Sequence, residues 1–254
     1  MATPLQGISS MATRQVLAEL VAAYAQQSAD PVHIESVGGV DAARRVQAGE
    51  AFDVVILASD AIDKLAASGH VRAGSKVDLV HSGVAVAVRE GAPVPDLGSE
   101  DAVRRAVLAA RSLSYSTGPS GVALARLFER WGIAQEIAPR IVQAPPGVPV
   151  GTLVARGEVE LGFQQLSELL HVPGITLAGP LPEPIQITTT FSGAVATAAA
   201  QPAAAQALLA FMASPQAAPA KRRQGVEPAK PRADPIHRFQ ASKEPFMSLI
   251  IDCH

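Results

Sequence analysis

The chain has 254 residues, 48% of them apolar and 17% charged, so it can bury a sizeable core and wholesale disorder is excluded. With 21 Lys and Arg against 23 Asp and Glu the net charge is −2, which offers no concentrated basic field for nucleic acid or an anionic membrane surface. Aromatic residues are only 4%, leaving few platforms on which bases could stack. The length suits one large domain or two lobes.

A single cysteine, Cys253, excludes an internal disulfide and a Cys-based zinc site. No apolar run approaches the length of a membrane-spanning helix. Residues 1–10 carry neither the basic stretch nor the apolar stretch of a signal peptide,. The expected location is therefore cytoplasmic, or periplasmic only if a signal has been removed.

Short apolar runs alternate with helical patterns, which predicts an α/β fold with mostly parallel strands. Residues 5–8 read as a strand, and a helix follows over 12–26, with Val16, Leu17, Leu20, Val21 and Tyr24 on its apolar face,. A period-two strand at 32–37 leads to a helix over 41–48. Residues 53–58 form a buried-type strand, β-branched and almost entirely apolar,. A helix over 61–68 is closed by Gly69, a candidate left-handed cap,. Further on come a strand at 84–88, a helix over 99–110, a strand at 112–115 and a helix over 122–131. After a proline-rich turn there are a helix over 150–156, strands at 160–164 and 185–190, and a helix over 202–213. Lys221-Arg222-Arg223 reads as the face of a surface helix. The Pro-, Lys- and Arg-rich stretch from about residue 229 onward reads as a flexible extension,.

One device recurs four times: a strand, a turn of small residues, then the start of a helix. The turns are Gly7-Ile8-Ser9-Ser10, Val37-Gly38-Gly39-Val40-Asp41, Ser116-Thr117-Gly118-Pro119-Ser120-Gly121 and Pro145-Pro146-Gly147-Val148-Pro149. In open sheets ligands bind beyond the carboxyl ends of strands. A helix start there presents unpaired N–H donors and partial positive charge, and glycine lets the backbone approach closely. Taken one at a time, Ser9, Ser10, Ser116, Thr117 and Asp41 are also ordinary helix caps. Two lobes facing each other would aim all four turns into one cleft. No Lys or Arg lies within them.

These stretches carry a resemblance. Gly7-Ile8-Ser9-Ser10-Met11 before the first helix, and the run from Ala42 through Gly49-Glu50 into Asp53 to Asp60, are two parts of it. The Ser116 to Gly121 turn and Ser214-Pro215-Gln216-Ala217-Ala218 are the others. Over residues 4–228 the chain resembles the periplasmic molybdate-binding proteins, which implies the two-lobed type 2 solute-binding fold and a ligand held between the lobes. On that resemblance residues 1–81 with 192–228 form one lobe, 82–191 the other, and 229–254 an extension. The implied ligand-binding residues are Ser9, Ser10, Gly38, Gly39, Ser116, Thr117, Ser120, Gly121, Val148 and Gln164. Two departures stand out. The serine-rich second turn of the molybdate binders is here Gly38-Gly39-Val40 followed by Asp41, and Gln164 stands where their late tyrosine is expected.

The chain also resembles, more loosely, a branch of this fold without a signal peptide that is described as Δ5-3-ketosteroid isomerase. On that alternative Asp41 is the base and Tyr115, or the Ser9 and Ser10 region, the oxyanion donor. Replacing Asp41 by Asn is then expected to lower turnover by several orders of magnitude. The six histidines show no metal-ligand spacing,. No phosphate-binding loop or dinucleotide fingerprint is present, so no metal, nucleotide or other cofactor is expected. The expected partner is a small molecule. Oligomeric state is left open.

Overall fold

The computed structural model describes residues 3–145 and 147–229. Strand β1 (Leu5–Ser10) runs through the first of the small-residue turns and ends in a 3-10 turn, Met11–Thr13, that opens helix α1 (Arg14–Tyr24). There follow β2 (Val32–Val37), α2 (Gly39–Gln47), β3 (Val54–Ala58), α3 (Ser59–Ala67) and a long strand, β4 (Val77–Arg89). The middle of the chain supplies α4 (Glu100–Ala109), β5 (Leu113–Tyr115), α5 (Pro119–Arg130), α6 (Ala134–Ile137) and α7 (Val150–Ala155). It continues through β6 (Leu161–Gln165), α8 (Leu166–Leu169) and β7 (Ile175–Pro180). Strand β8 (Thr188–Val195), α9 (Pro202–Ala213), α10 (Ala218–Arg223) and β9 (Glu227–Pro228) complete it.

The strands form one curled sheet in the order β2-β1-β3-β8-β4-β6-β5, with β7 and β9 also paired to β4. The expected α/β class holds, but the sheet is mixed rather than mostly parallel. Only β1 with β2, β1 with β3 and β5 with β6 run parallel. The antiparallel pairs come from β8 returning between β3 and β4, and from β4 itself.

Side-chain alternation explains how each half of the sheet is clothed. In β3, Val54, Ile56 and Ala58 face a core shared with α1 and α9, while Val55 and Leu57 face one shared with α2 and α3. In the second half of β4, Val84, Val86 and Val88 face α4 and α5, and Ala85 and Ala87 face Leu169 of α8. Two lobes with separate cores result. Strand β4 joins them: from Val77 to Gly83 it pairs with β8, and from Val84 to Ala87 with β6.

The sequence pattern predicts only 84–88 of β4, because His81, Ser82 and Gly83 interrupt the apolar run. Pairing with β8 carries the strand through them. A Cβ at Gly83 would lie 3.2 Å from the Gln186 amide nitrogen, so a larger residue would have to displace that side chain slightly. Asp41, expected to open α2, sits inside its first turn with Gly38 as the cap. Gly69 adopts the left-handed conformation that closes α3, φ 77°. Lys221, expected on a surface face, is buried at 1% exposure. Ala229, where the extension was expected to begin, is buried and donates its N–H to the Leu79 carbonyl at 3.1 Å. Residues 230–254, with Cys253, His237 and His254, lie outside the described residues, as does Pro146.

Candidate functional site

The carboxyl ends of β1, β2 and β3 in the first lobe, and of β5 and β6 in the second, carry the residues singled out above. In the first lobe Ser9 is fully buried, and its Oγ lies 2.8 Å from Ser36 Oγ, tying β1 to β2. Ser10 turns the other way. Its Oγ accepts from the Ala12 N–H at 3.4 Å, and its carbonyl accepts from Thr13 Oγ1 at 2.9 Å. A Cβ on Gly39 would sit 3.8 Å from Ser10 Oγ, so the start of α2 lies directly beside Ser10. Gly38, with nothing within 4 Å of a Cβ position, faces open space. No side chain caps α2, which leaves its first N–H donors available to an anion. Asp41 is half exposed and ion-paired with Arg44 of the same helix.

In the second lobe the turn after β5 is tightly built. Ser116 Oγ lies 3.2 Å from Ser120 Oγ. Gly121 is packed so closely beneath Ser116 that a Cβ would fall 1.5 Å from its carbonyl oxygen. Thr117 is exposed, and Gly118 caps α5 without a side chain, again leaving N–H donors free. Tyr115 is half-buried with its ring packed edge-on against Phe128, 5.9 Å between centroids; burial, helped by Glu129, raises its hydroxyl above the usual value. Val148 is half-buried just before α7.

The strands around the β4 crossing carry buried polar groups that the sequence pattern does not reveal. Gln165 donates from Nε2 to Thr189 Oγ1 at 2.9 Å, and Thr189 is paired in register with Ser82. Ser82 Oγ, Gln165 Oε1 and Gln164 Oε1 are buried and have no partner among the described residues. An unpaired buried polar atom costs about 1–3 kcal/mol; Gln165 and Ser82 lie on one face of β6 and β4, and Gln164, next along the strand, on the opposite one,. The next residues make α8. Ser167 Oγ donates to the Ala12 carbonyl of the first lobe at 2.8 Å. Glu168 follows it, and burial pushes its carboxyl up to about 7, partly offset by a hydrogen bond from Gln164. Glu168, Gln165 and Ser167 were all missed by sequence reasoning. The only available signal was their place immediately after a strand end.

The structure thus places Ser10 with Gly38 and Gly39, and Ser116 and Thr117 with Ser120 and Gly121, at two helix starts. It directs Ser9 to Ser36, Tyr115 to Phe128 and Asp41 to Arg44. Among the described residues no group of three or more His, Cys, Asp or Glu side chains is placed to hold a metal ion. Two surface grooves, one lined by Tyr24, Phe211 and Ser214 and the other by Arg126, Arg130 and Ile185, lie outside this constellation.

The family model of the bacterial extracellular solute-binding proteins matches residues 5–227. The chain belongs to that family. A solute-binding protein of this kind binds a small ligand, in agreement with the partner expected from the sequence. The aconitate isomerase of a Pseudomonas species is 40% identical over 232 residues, covering 89% of this chain and 88% of its own. The periplasmic molybdate-binding protein of Azotobacter vinelandii has a TM-score of 0.74 at 20% identity, over 90% of this chain and 100% of its own. The sulfate-binding protein of Mycobacterium tuberculosis has a TM-score of 0.73 at 16% identity, over 90% and 88%. At those identities the two structures establish the fold alone. The ketosteroid isomerase resemblance finds no support in these comparisons, and the relative with an isomerase name is named for aconitate. The family is described as extracellular, so the cytoplasmic expectation has no support there either. No helix among the described residues is long and apolar enough to cross a membrane.

Proposed function

We propose that this solute-binding fold works as an isomerase of an unsaturated polycarboxylate of the aconitate type. The observation that carries the reading is the 40% identity to an aconitate isomerase across nearly the whole of both chains. The site's chemistry is compatible with it. An allylic isomerisation moves a proton and a double bond without oxidation or a second substrate. It needs anion binding, one proton-transfer group and exclusion of water. Uncapped starts of α2 and α5 suit carboxylates,, and the unpaired Gln165 amide oxygen and Ser82 hydroxyl suit further polar groups. A neutral steroid would leave those groups unmatched.

Binding of molybdate without turnover is the second reading. Ser10 and the Ser116 to Gly121 turn favour it, and the hydroxyl-free Gly38-Gly39-Val40 turn weighs against it.

The test is proton NMR of trans-aconitate incubated with the protein in deuterium oxide, beside thermal unfolding with aconitate and with molybdate. Appearance of the cis isomer supports the isomerase. A ligand at a hundredfold excess over Kd stabilises by about 2.7 kcal/mol, roughly 5–10 °C for a chain of this size. Such a shift with molybdate, and none with aconitate, would overturn the isomerase in favour of an oxyanion receptor.

A further inference from the structure

We propose that Gln186 is the hinge pin of the two lobes: its side-chain amide fastens together the places where the chain passes from one lobe to the other, and so sets the axis about which they turn. The inference rests on the two-lobed fold and stands whether or not the isomerase reading holds.

Both passages between the lobes meet at this amide. Outbound, β4 pairs with β8 as far as Gly83 and with β6 from Val84. On the return, β7 ends at Pro180 and β8 begins at Thr188, with residues 181–187 connecting them. Ala85 of β4 is paired with Pro180 and Gly83 with Thr188, so Val84 falls in the gap where β7 has ended and β8 has not begun. Across that gap the Val84 N–H donates to the Ile187 carbonyl at 3.1 Å, and the Val84 carbonyl accepts from the Leu181 N–H at 3.1 Å.

The Gln186 side chain doubles both links. Its Oε1 accepts from the Val84 N–H at 3.0 Å and from the Ile187 N–H at 2.8 Å. Its Nε2 donates to the carbonyls of Val84 and Leu181, each at 3.2 Å. One amide therefore spends both of its ends on main chain: beside the end of β7, at the crossing point of β4 and at the approach to β8.

The choice of a side chain for this task has a mechanical consequence. Main-chain ladder bonds fix the angle between strands, because each donor and acceptor belongs to a planar peptide unit. A glutamine amide carries the same donor and acceptor groups on a stem of rotatable bonds. It can keep its partners while the segments it joins swivel. Two lobes close by concentrating rotation in a few residues at the ends of elements, and residues 83–84 and 187–188 are such ends. The space around the amide suits movement. Gly83 carries no side chain where a Cβ would come within 3.2 Å of Nε2. A groove of about 400 Å³, lined by Arg126 and Arg130 of α5 and by Gln186 and Ile187, borders the connection.

The experiment reads the distance between the lobes and needs no ligand. Spin labels are attached at Lys64→Cys on α3 and Arg104→Cys on α4, both exposed, in a chain that also carries Cys253→Ser. Pulsed dipolar spectroscopy then gives the distribution of distances. Gln186→Leu keeps the bulk and removes the amide. It is expected to widen the distribution at least about twofold, because the two crossings lose their shared tether. Val107→Ala, a deletion in the second lobe's core, is the control: it weakens the fold and is expected to leave the width unaltered,. A width in Q186L within about 20% of the unaltered protein's, or an equal widening in V107A, overturns the proposal. Should Q186L not fold, hydrogen exchange of the unaltered protein decides. The Val84 and Ile187 N–H groups are expected to exchange within about tenfold of the Val86 N–H, and faster exchange overturns the pin.

Discussion

Ser167 in the second lobe donates its hydroxyl to the main-chain carbonyl of Ala12 in the first, 2.8 Å away and 155 residues earlier in the chain. The bond joins the turn that follows β1 to the turn that follows β6, so it spans the two strand ends between which a ligand would close. Ser167→Ala removes the donor and leaves the carbonyl unmatched. If the bond belongs to the closed arrangement, its loss falls mainly on closure. The expected result is a Kd for the bound carboxylate raised about tenfold, with Tm lowered by about 2–4 °C. An unchanged Kd would mean that the bond is equally present with and without ligand.

Gly121 lies under the Ser116 carbonyl, where no Cβ can be accommodated without moving the start of α5 away from β5. Backbone, unlike the tip of a flexible side chain, cannot swing aside. Gly121→Ala is expected to destabilise by at least about 2 kcal/mol, measured by urea unfolding. Loss of ligand binding should accompany it, because the N–H donors at Gly118 to Ser120 lose their position. Gly193→Ala is a useful contrast, since its obstruction is the Leu209 side chain, 2.4 Å from the Cβ position. It should cost less.

Asp41 is the carboxylate that the sequence offers as a base. Asp41 is paired with Arg44 and lies 42% exposed. Surface pairs of this kind contribute about 0–1 kcal/mol, so Asp41→Asn is expected to leave stability and turnover nearly unaltered. Steady-state kinetics decides the matter. A loss of several orders of magnitude in D41N would put proton abstraction at the start of α2.

Two buried groups make opposite contributions to stability against pH. Glu168 has its carboxyl raised from 4.5 to about 7 by burial, so the folded chain holds a proton that the unfolded chain has lost over that interval. The stability it contributes is complete below about pH 4.5 and disappears as pH rises through 7. E168Q should therefore exceed the unaltered protein at pH 8 by an amount on the order of 3 kcal/mol, and show no such advantage at pH 4.

Lys221, lowered from 10.5 to about 8 by burial, behaves in reverse. Between about pH 8 and 10.5 the unfolded chain holds the extra proton, so stability rises with pH across that window. Lys221→Met should abolish the rise. Denaturant titrations of both variants at pH 4, 8 and 10 measure these effects.

Much of the framework was legible because it obeys local periodicity. Val32–Val37 alternates, Val54–Ala58 is continuously apolar and β-branched, and Pro202–Ala213 begins with the residue that best starts a helix,. Each advertises its structure over five or more residues. The strand ends at Ser10, Gly38 and Ser116 were legible for the same reason, since small and hydroxylated residues punctuate an apolar pattern. Elements of four residues, such as Ala134–Ile137 and Leu166–Leu169, are too short to show a period. Strand β7 carries Gly179 and Pro180 and is recognisable only through its pairing with β4.

By itself, then, the sequence determined the alternation of strands and helices, most of the glycine and serine turns at the strand ends, and the near balance of acidic and basic residues. These follow from side-chain size, branching and charge acting over a few neighbouring residues. Only the tertiary structure decided that Gly83 lies inside a strand, that Lys221 in a basic triplet is buried, and that Ser167 reaches Ala12. Those outcomes depend on which distant backbone approaches which. Burial, and the desolvation that alters a carboxyl or an amine, is set by the whole arrangement of packed elements and by no local stretch of chain.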